Sequence, residues 1–154
     1  MEVLSGVASG MAVASLSLQL IESIGKIQTF IKSIRGASKE LDRLEFLLNR
    51  LEVLLQDVRD IVGRQASLHG QHFPPPSMTM ISCVKTCEDS LAALQRLINK
   101  FATRKKSSVS VLAQMKNDMK FGLMINDITS FELRIQRDIE LLHTALSANS
   151  TAIL

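Results

Sequence analysis

The chain has 154 residues, of which 46% are hydrophobic and 21% charged, with seven Gly, three Pro and no Trp or Tyr. This length is typical of one domain, and the apolar content is sufficient for a core. A sandwich of many short strands would need more turn residues, so the composition favours helices. The net charge of +3 comes without the dense basic stripe and stacking aromatics of nucleic-acid-binding domains. We therefore expect no nucleic-acid partner.

The N-terminal segment raises the question of a leader or a membrane anchor. Residues 3–21 are uncharged, but a signal peptide begins with basic residues, and the only early charge is Glu2. A stable transmembrane helix needs about 20 predominantly apolar residues, whereas this segment is rich in Gly, Ala and Ser. The two Cys do not make a secreted disulfide framework. We expect a cytoplasmic protein.

Apolar residues recur at spacings of three and four along most of the chain, which predicts amphipathic helices. We predict helices over about residues 3–34, 39–62, 77–102, 109–120 and 124–147, with a surface loop over 63–76 and a frayed tail over 148–154. The clearest inward-facing seam is Leu41, Leu44, Leu48, Leu51, Leu55, Val58 and Val62 in the second helix. Residues 1–147 thus predict an all-α fold, an antiparallel four-helix bundle with an additional short helix. We expect the first helix to be central or to contact most of the others.

No catalytic motif is present in the sequence. It contains no phosphate-binding glycine loop, no nucleophile elbow and no His-Glu-x-x-His motif. Two pairs of acids, Asp127 with Glu132 and Asp138 with Glu140, are expected to be solvated charges on the bundle surface. We predict that the chain is not an enzyme and has no small-molecule substrate.

One arrangement has the residue types of a metal site. His69 and His72 in the predicted loop precede Cys83 and Cys87, which lie one helical turn apart. Cys87 also falls on the apolar seam of its helix, where Cys behaves as a small hydrophobic residue. We expect core packing and no metal or cofactor.

The first helix carries more apolar surface than one bundle face requires. Besides its seam, it has a second apolar face made of Val3, Leu4, Val7, Met11, Leu18 and Ile21. Between the two faces runs a row of small residues, Gly6, Gly10, Ala14 and Ser17, with the Gly-x-x-x-Gly spacing that lets membrane helices approach closely. Two interpretations remain open: a deeply buried central helix, or a helix that can leave the bundle for a bilayer or an oligomer.

Two segments carry a family resemblance. Residues 7–11 (VASGM), with the Ser- and Leu-rich run after them, and residues 34–41 (IRGASKEL), leading into a Leu-rich helix, resemble the HeLo-like N-terminal domain of fungal STAND (NLR-like) receptors. The resemblance extends over roughly residues 1–147. Ser38 stands where relatives commonly have Pro, and Phe121 stands where a Trp is expected.

The resemblance implies a helical executioner of programmed cell death, of the kind that acts in fungal heterokaryon incompatibility and innate immunity. In that scheme a C-terminal nucleotide-binding or prion-like region, absent from these 154 residues, drives oligomerisation. The domain then relocates from the cytoplasm to the plasma membrane, which its first helix permeabilises. The expected partners are membrane lipids, mainly anionic, and other copies of the same domain.

The resemblance also assigns roles to residues. The membrane-inserting face would be Val3, Leu4, Val7, Met11, Leu18 and Ile21, and the close-packing row would be Gly6, Gly10 and Ala14. Arg104, Lys105 and Lys106, in a predicted basic turn, would contact anionic lipid, although ordinary solubilising charge explains them as well. The alternative function is an adaptor, in which the same surplus face mediates homotypic protein contacts and never meets lipid.

Overall fold

The structure, a computed structural model, describes the backbone of residues 2–33, 39–67, 78–106 and 111–153, and the side chains of 10–33, 39–65, 78–100 and 126–149. These residues form four helices: α1 (Glu2–Ser33), α2 (Lys39–Ser67), α3 (Met78–Lys106) and α4 (Val111–Ile153). No strand occurs within these ranges. The all-α class is confirmed, and the predicted second helix is continuous.

The predicted seams form one hydrophobic core. All seven seam residues of α2, from Leu41 to Val62, are buried. The other helices contribute Val13, Leu20, Ile24, Ile27 and Ile31 from α1; Val84, Cys87, Leu91, Leu94 and Ile98 from α3; and Ile128, Ile135, Ile139, Leu142 and Leu146 from α4. Each large side chain removed from water contributes roughly 1.5–3 kcal/mol, so burial of these seams is what makes the segments helical in the fold.

Within the described ranges, each helix contacts two of the other three. α1 contacts α2 and α3, and α4 contacts the same two helices. Within the described ranges, α1 does not contact α4 and α2 does not contact α3. The first helix therefore touches two of its three possible partners and occupies a corner of the bundle.

Side-chain contacts give the direction of two neighbouring pairs. Lys32 lies 3.7 Å from Glu45, and Gln28 donates a hydrogen bond to Asn49, so residue numbers fall on α1 as they rise on α2. These two helices run in opposite directions. On α4, Glu132 pairs with Arg43 at 3.5 Å, and Ile139 and His143 lie beside the next turns of α2. Residue numbers therefore rise together along α2 and α4 at their contacts, so these two helices run in the same direction.

Several predicted boundaries are wrong. α2 continues through Gly63 to Ser67, so the predicted loop 63–76 starts too early. The predicted helices 109–120 and 124–147 are one helix, and residues 148–153, expected to fray, belong to it. A single Gly costs a helix only about 1 kcal/mol, which the burial of neighbouring apolar residues outweighs. Asn149 is buried, so α4 still packs against the bundle at this position.

Candidate functional site

The second apolar face of α1 is partly uncovered. The side chains of Met11 and Leu18 are 55% and 41% exposed, whereas Ile21 is half-buried against the core. Val3, Leu4 and Val7 lie on the α1 backbone, and their side chains are outside the described part of the chain. The structure thus places Met11 and Leu18 in solvent and makes Ile21 part of the packing.

The row of small residues on α1 meets α2 at Ala14. Gly10 is buried, Ala14 is half-buried, and the fully buried Ser17 donates its hydroxyl to the carbonyl of Val13 at 2.8 Å. A Cβ on Gly63 of α2 would stand 4.0 Å from the Cβ of Ala14. Gly6, the first member of the row, lies outside the described side chains. At Ala14, the face that could pack α1 against a second copy is therefore in contact with α2 of the same chain.

The packing between α1 and α3 is incomplete. A cavity of about 210 Å³ lies between the two helices. It is lined by Ala12, Val13, Leu16, Ile81, Val84 and Lys85. Side chains that line such a gap lose part of their dispersion contacts, so α3 covers this face of α1 only in part.

A buried polar cluster lies between α3 and α4. Asp138, expected to be solvated, is only 3% exposed, and that prediction is wrong because its side chain turns inward beside Ser90. Burial raises the pKa of Asp138, and the Ser90 hydroxyl, Arg134 and Arg137 oppose this rise. Asp138 Oδ2 and Ser90 Oγ are both buried without a hydrogen bond of good geometry.

The two thiols of the predicted His/Cys set belong to this polar cluster. Cys83 and Cys87 are buried and reduced. Burial and the nearby Asp138 raise the pKa of both thiols, so they are poor nucleophiles and poor metal ligands as they stand. Among the described side chains no three His, Cys, Asp or Glu residues are arranged to hold a metal ion. His69 and His72 lie outside the described residues.

The basic residues predicted to contact lipid are helical. α3 runs four residues beyond its predicted end, so Arg104, Lys105 and Lys106 form its last turn instead of a connecting turn. Cations at a helix C-terminus interact favourably with its dipole, which is a physical reason for the extension. Their side chains are outside the described set.

Sequence reasoning missed a groove between α2 and α4. Its volume is about 320 Å³, and Phe46, Asn49, Arg50, Val53, Leu54, Ile139 and His143 line it. Phe46 and Val53 are 62% and 57% exposed. The sequence does contain a signal for this groove: Phe46 and Val53 lie seven residues apart and outside the α2 seam. Residues seven apart lie on one face of a helix.

Within the described residues, no helix is both long enough and apolar enough to span a membrane. Comparisons with family models, with curated proteins and with solved structures found no match to this chain.

Proposed function

We propose that this chain is a membrane-targeting cell-death effector domain of a fungal NLR-like or prion-controlled signalling system. Its N-terminal helix, α1, would permeabilise the plasma membrane after oligomerisation. The observation that carries the proposal is the exposure of Met11 and Leu18 on a helix whose opposite face is fully buried in the core. The resemblance of residues 7–11 and 34–41 to HeLo-like domains supplies the biological setting.

The packing of α1 supports a resting state in which this activity is held back. Ala14 of the small-residue row lies beside Gly63 of α2, so this position cannot at the same time pack against a second copy of α1. One copy of α1 in a bilayer would gain little, because Ser, Gly and Ala provide less transfer energy than Leu. Several copies side by side would bury their small residues against each other and present Met, Val and Leu to lipid.

Two further features belong to the proposal. The four helices alternate in direction along the chain, as in an antiparallel bundle, which is supported by the opposed contacts of α1 and α2. The domain rests in the cytoplasm and moves to the plasma membrane on activation, where Arg104, Lys105 and Lys106 attract anionic lipid.

Forced clustering tests the proposal. The chain is fused to an inducible oligomerisation module and added to anionic liposomes loaded with a self-quenching dye. We expect leakage on clustering and little leakage from the monomer. Leu4→Glu or Val7→Asp should abolish leakage, because a charged residue at bilayer depth costs about 2.5–3.5 kcal/mol. Leu133→Glu, which places the same charge on an exposed position of α4, is the matched control and should leave leakage unchanged.

The same assay separates this function from the adaptor alternative. Clustered protein lacking residues 1–20 that stays folded and causes full leakage would contradict the membrane role of α1. If clusters never cause leakage, and a Gly6→Leu or Gly10→Leu variant that remains helical by circular dichroism loses self-association without any membrane, the chain is an adaptor.

A further inference from the structure

The groove between α2 and α4 is an apolar surface with one cation, Arg50, at its margin. Phe46 and Val53 project from α2 on one side, Ile139 of α4 is buried below, and Arg50 and His143 stand beside them. None of the described side chains that line the groove is acidic. A surface that is apolar in the centre and positively charged at the rim is complementary to an apolar segment that carries carboxylates.

The register of the two helices explains why Arg50 has no ion-pair partner among the described residues of α4. One helical heptad before it, Arg43 pairs with Glu132 of α4 at 3.5 Å and with Glu40 at 3.8 Å. Seven residues on from Glu132, at the position equivalent to that of the Arg43 partner, α4 presents the apolar Ile139. Arg50 makes no ion pair with any side chain that the structure describes. An external carboxylate would repeat at Arg50 the ion pair that α4 supplies to Arg43.

The dimensions of the groove suit a short helix. Phe46 and Val53 are separated by seven residues, or about 10.5 Å along α2, and the space between them and α4 is about 320 Å³. A helix bound in such a groove inserts side chains at i, i+3 or i+4, and i+7. These side chains span about two helical turns, which matches the two turns of α2 between Phe46 and Val53.

A second copy of this chain is a poor occupant. In a twofold pairing of the groove, the Arg50 guanidinium of one copy would approach that of the other. Like charges placed together in an interface destabilise it. We propose that the α2–α4 groove is a docking site for an acidic amphipathic helix of another protein, with Phe46 and Val53 as apolar contacts and Arg50 as the carboxylate partner.

The test uses a defined peptide pair. One is an Ala-based helical peptide of about four turns with Leu at i, i+4 and i+7 and Glu on its flanks, and the other has Lys in place of every Glu. Binding to the full chain is followed by NMR with methyl-labelled Val, Leu and Ile. We expect saturable binding of the Glu peptide, with shifts at Val53 and Ile139, and binding of the Lys peptide weaker by at least about tenfold.

Variants assign the binding to the groove. Phe46→Ser should weaken binding of the Glu peptide about tenfold, and Arg50→Glu should reverse the preference in favour of the Lys peptide. Leu133→Ser and Arg96→Glu change an exposed apolar residue and an exposed cation outside the groove and should leave both affinities unchanged. Thermal unfolding of each variant confirms that it remains folded.

Three results would overturn the proposal. The first is no saturable binding of the Glu peptide up to about 1 mM, and the second is equal affinity of the wild type and Arg50→Glu for it. The third is a concentration-dependent dimer of the wild type, detected by light scattering and lost in Phe46→Ser, which would assign the groove to a second copy.

Discussion

The Cβ of Ala14 on α1 lies 4.0 Å from the place where a Cβ on Gly63 of α2 would stand. This separation is ordinary van der Waals contact for a methyl group, so the two helix backbones approach closely without a steric clash. The contact joins the small-residue row of the first helix to the one Gly that was expected to end the second. Substitutions at these two positions can therefore strengthen the α1–α2 interface or link the two helices covalently.

Replacing Gly63 with Ala should stabilise the fold. Ala is favoured over Gly in a helix interior by about 1 kcal/mol, and the added methyl group would meet Ala14 at contact distance. We expect the free energy of unfolding, measured with urea, to rise by about 1 kcal/mol. Gly25→Ala is the control for helix propensity alone, because a Cβ there meets nothing within 4 Å. A lower stability of Gly63→Ala would contradict this packing.

The α2 seam should dominate the stability of the bundle. Leu51 is fully buried, and a Leu→Ala change at such a site leaves a cavity that costs roughly 3–5 kcal/mol. Leu133→Ala removes the same atoms from an exposed position of α4 and should change stability by less than about 0.5 kcal/mol. Equal effects of the two substitutions, in the same denaturation experiment, would be inconsistent with this core.

The spacing of apolar residues was sufficient to predict the core, because burial of a helical face dominates the free energy of folding. Every α2 seam residue from Leu41 to Val62 is buried as expected. Helix boundaries were less predictable, since they depend on small local free-energy contributions such as the helix propensity of a single residue. Gly63 carries the local signal of a helix end, yet its cost of about 1 kcal/mol is smaller than the gain from burying Val62 beside it.

The candidate sites were predictable only in part. Met11 and Leu18 were identified as a surplus face because they fall off the seam of α1, and both are exposed. Asp138 lies three residues after Ile135, on the inward side of α4. It was predicted to be exposed because charged side chains are mostly found at the surface. Phe46 and Val53 form a groove only because α4 lies beside them, and no local sequence pattern specifies which two helices become neighbours.

The buried carboxyl of Asp138 should make stability depend on pH. Its pKa in the folded state is raised by burial, above the value of about 3.9 for an unfolded Asp. The folded state then binds this proton more tightly than the unfolded state, so the contribution of Asp138 to stability is complete at low pH and is lost as pH rises through the folded pKa. Cys83, Cys87, Arg134 and Arg137 are the ionisable groups that interact with it.

Asp138→Asn isolates this effect. Because Asn does not titrate, the difference in unfolding free energy between Asp138→Asn and the wild type should increase in favour of the variant as pH rises from about 4 towards 8. Asp57→Asn, on the exposed surface of α2, is the control and should show a much smaller change. A difference that is constant, or that falls with rising pH, would show that Asp138 is not destabilised by its burial.

The basic last turn of α3 should control binding to anionic membranes. Neutralising Arg104, Lys105 and Lys106 together with Gln should weaken sedimentation with phosphatidylserine vesicles roughly a hundredfold, at about 1 kcal/mol for each charge. The matched control neutralises three exposed cations on the same helix, Lys85, Arg96 and Lys100. If both triple variants lose the same affinity, the last turn contributes only general positive charge and no specific contact.

A reversible covalent link between α1 and α2 tests whether α1 must leave the bundle. Disulfides join Cβ atoms about 3.5–4.5 Å apart, and the Cβ positions at 14 and 63 are separated by 4.0 Å. The double variant Ala14→Cys, Gly63→Cys should therefore oxidise readily and gain roughly 4 kcal/mol in stability. Clustered on anionic liposomes, the oxidised protein should cause no leakage, and a reductant should restore it. The single variants Ala14→Cys and Gly63→Cys, treated with the same oxidant, control for effects on the buried Cys83 and Cys87. Full leakage from the oxidised double variant would show that α1 acts while still attached to α2, and the release mechanism would be wrong.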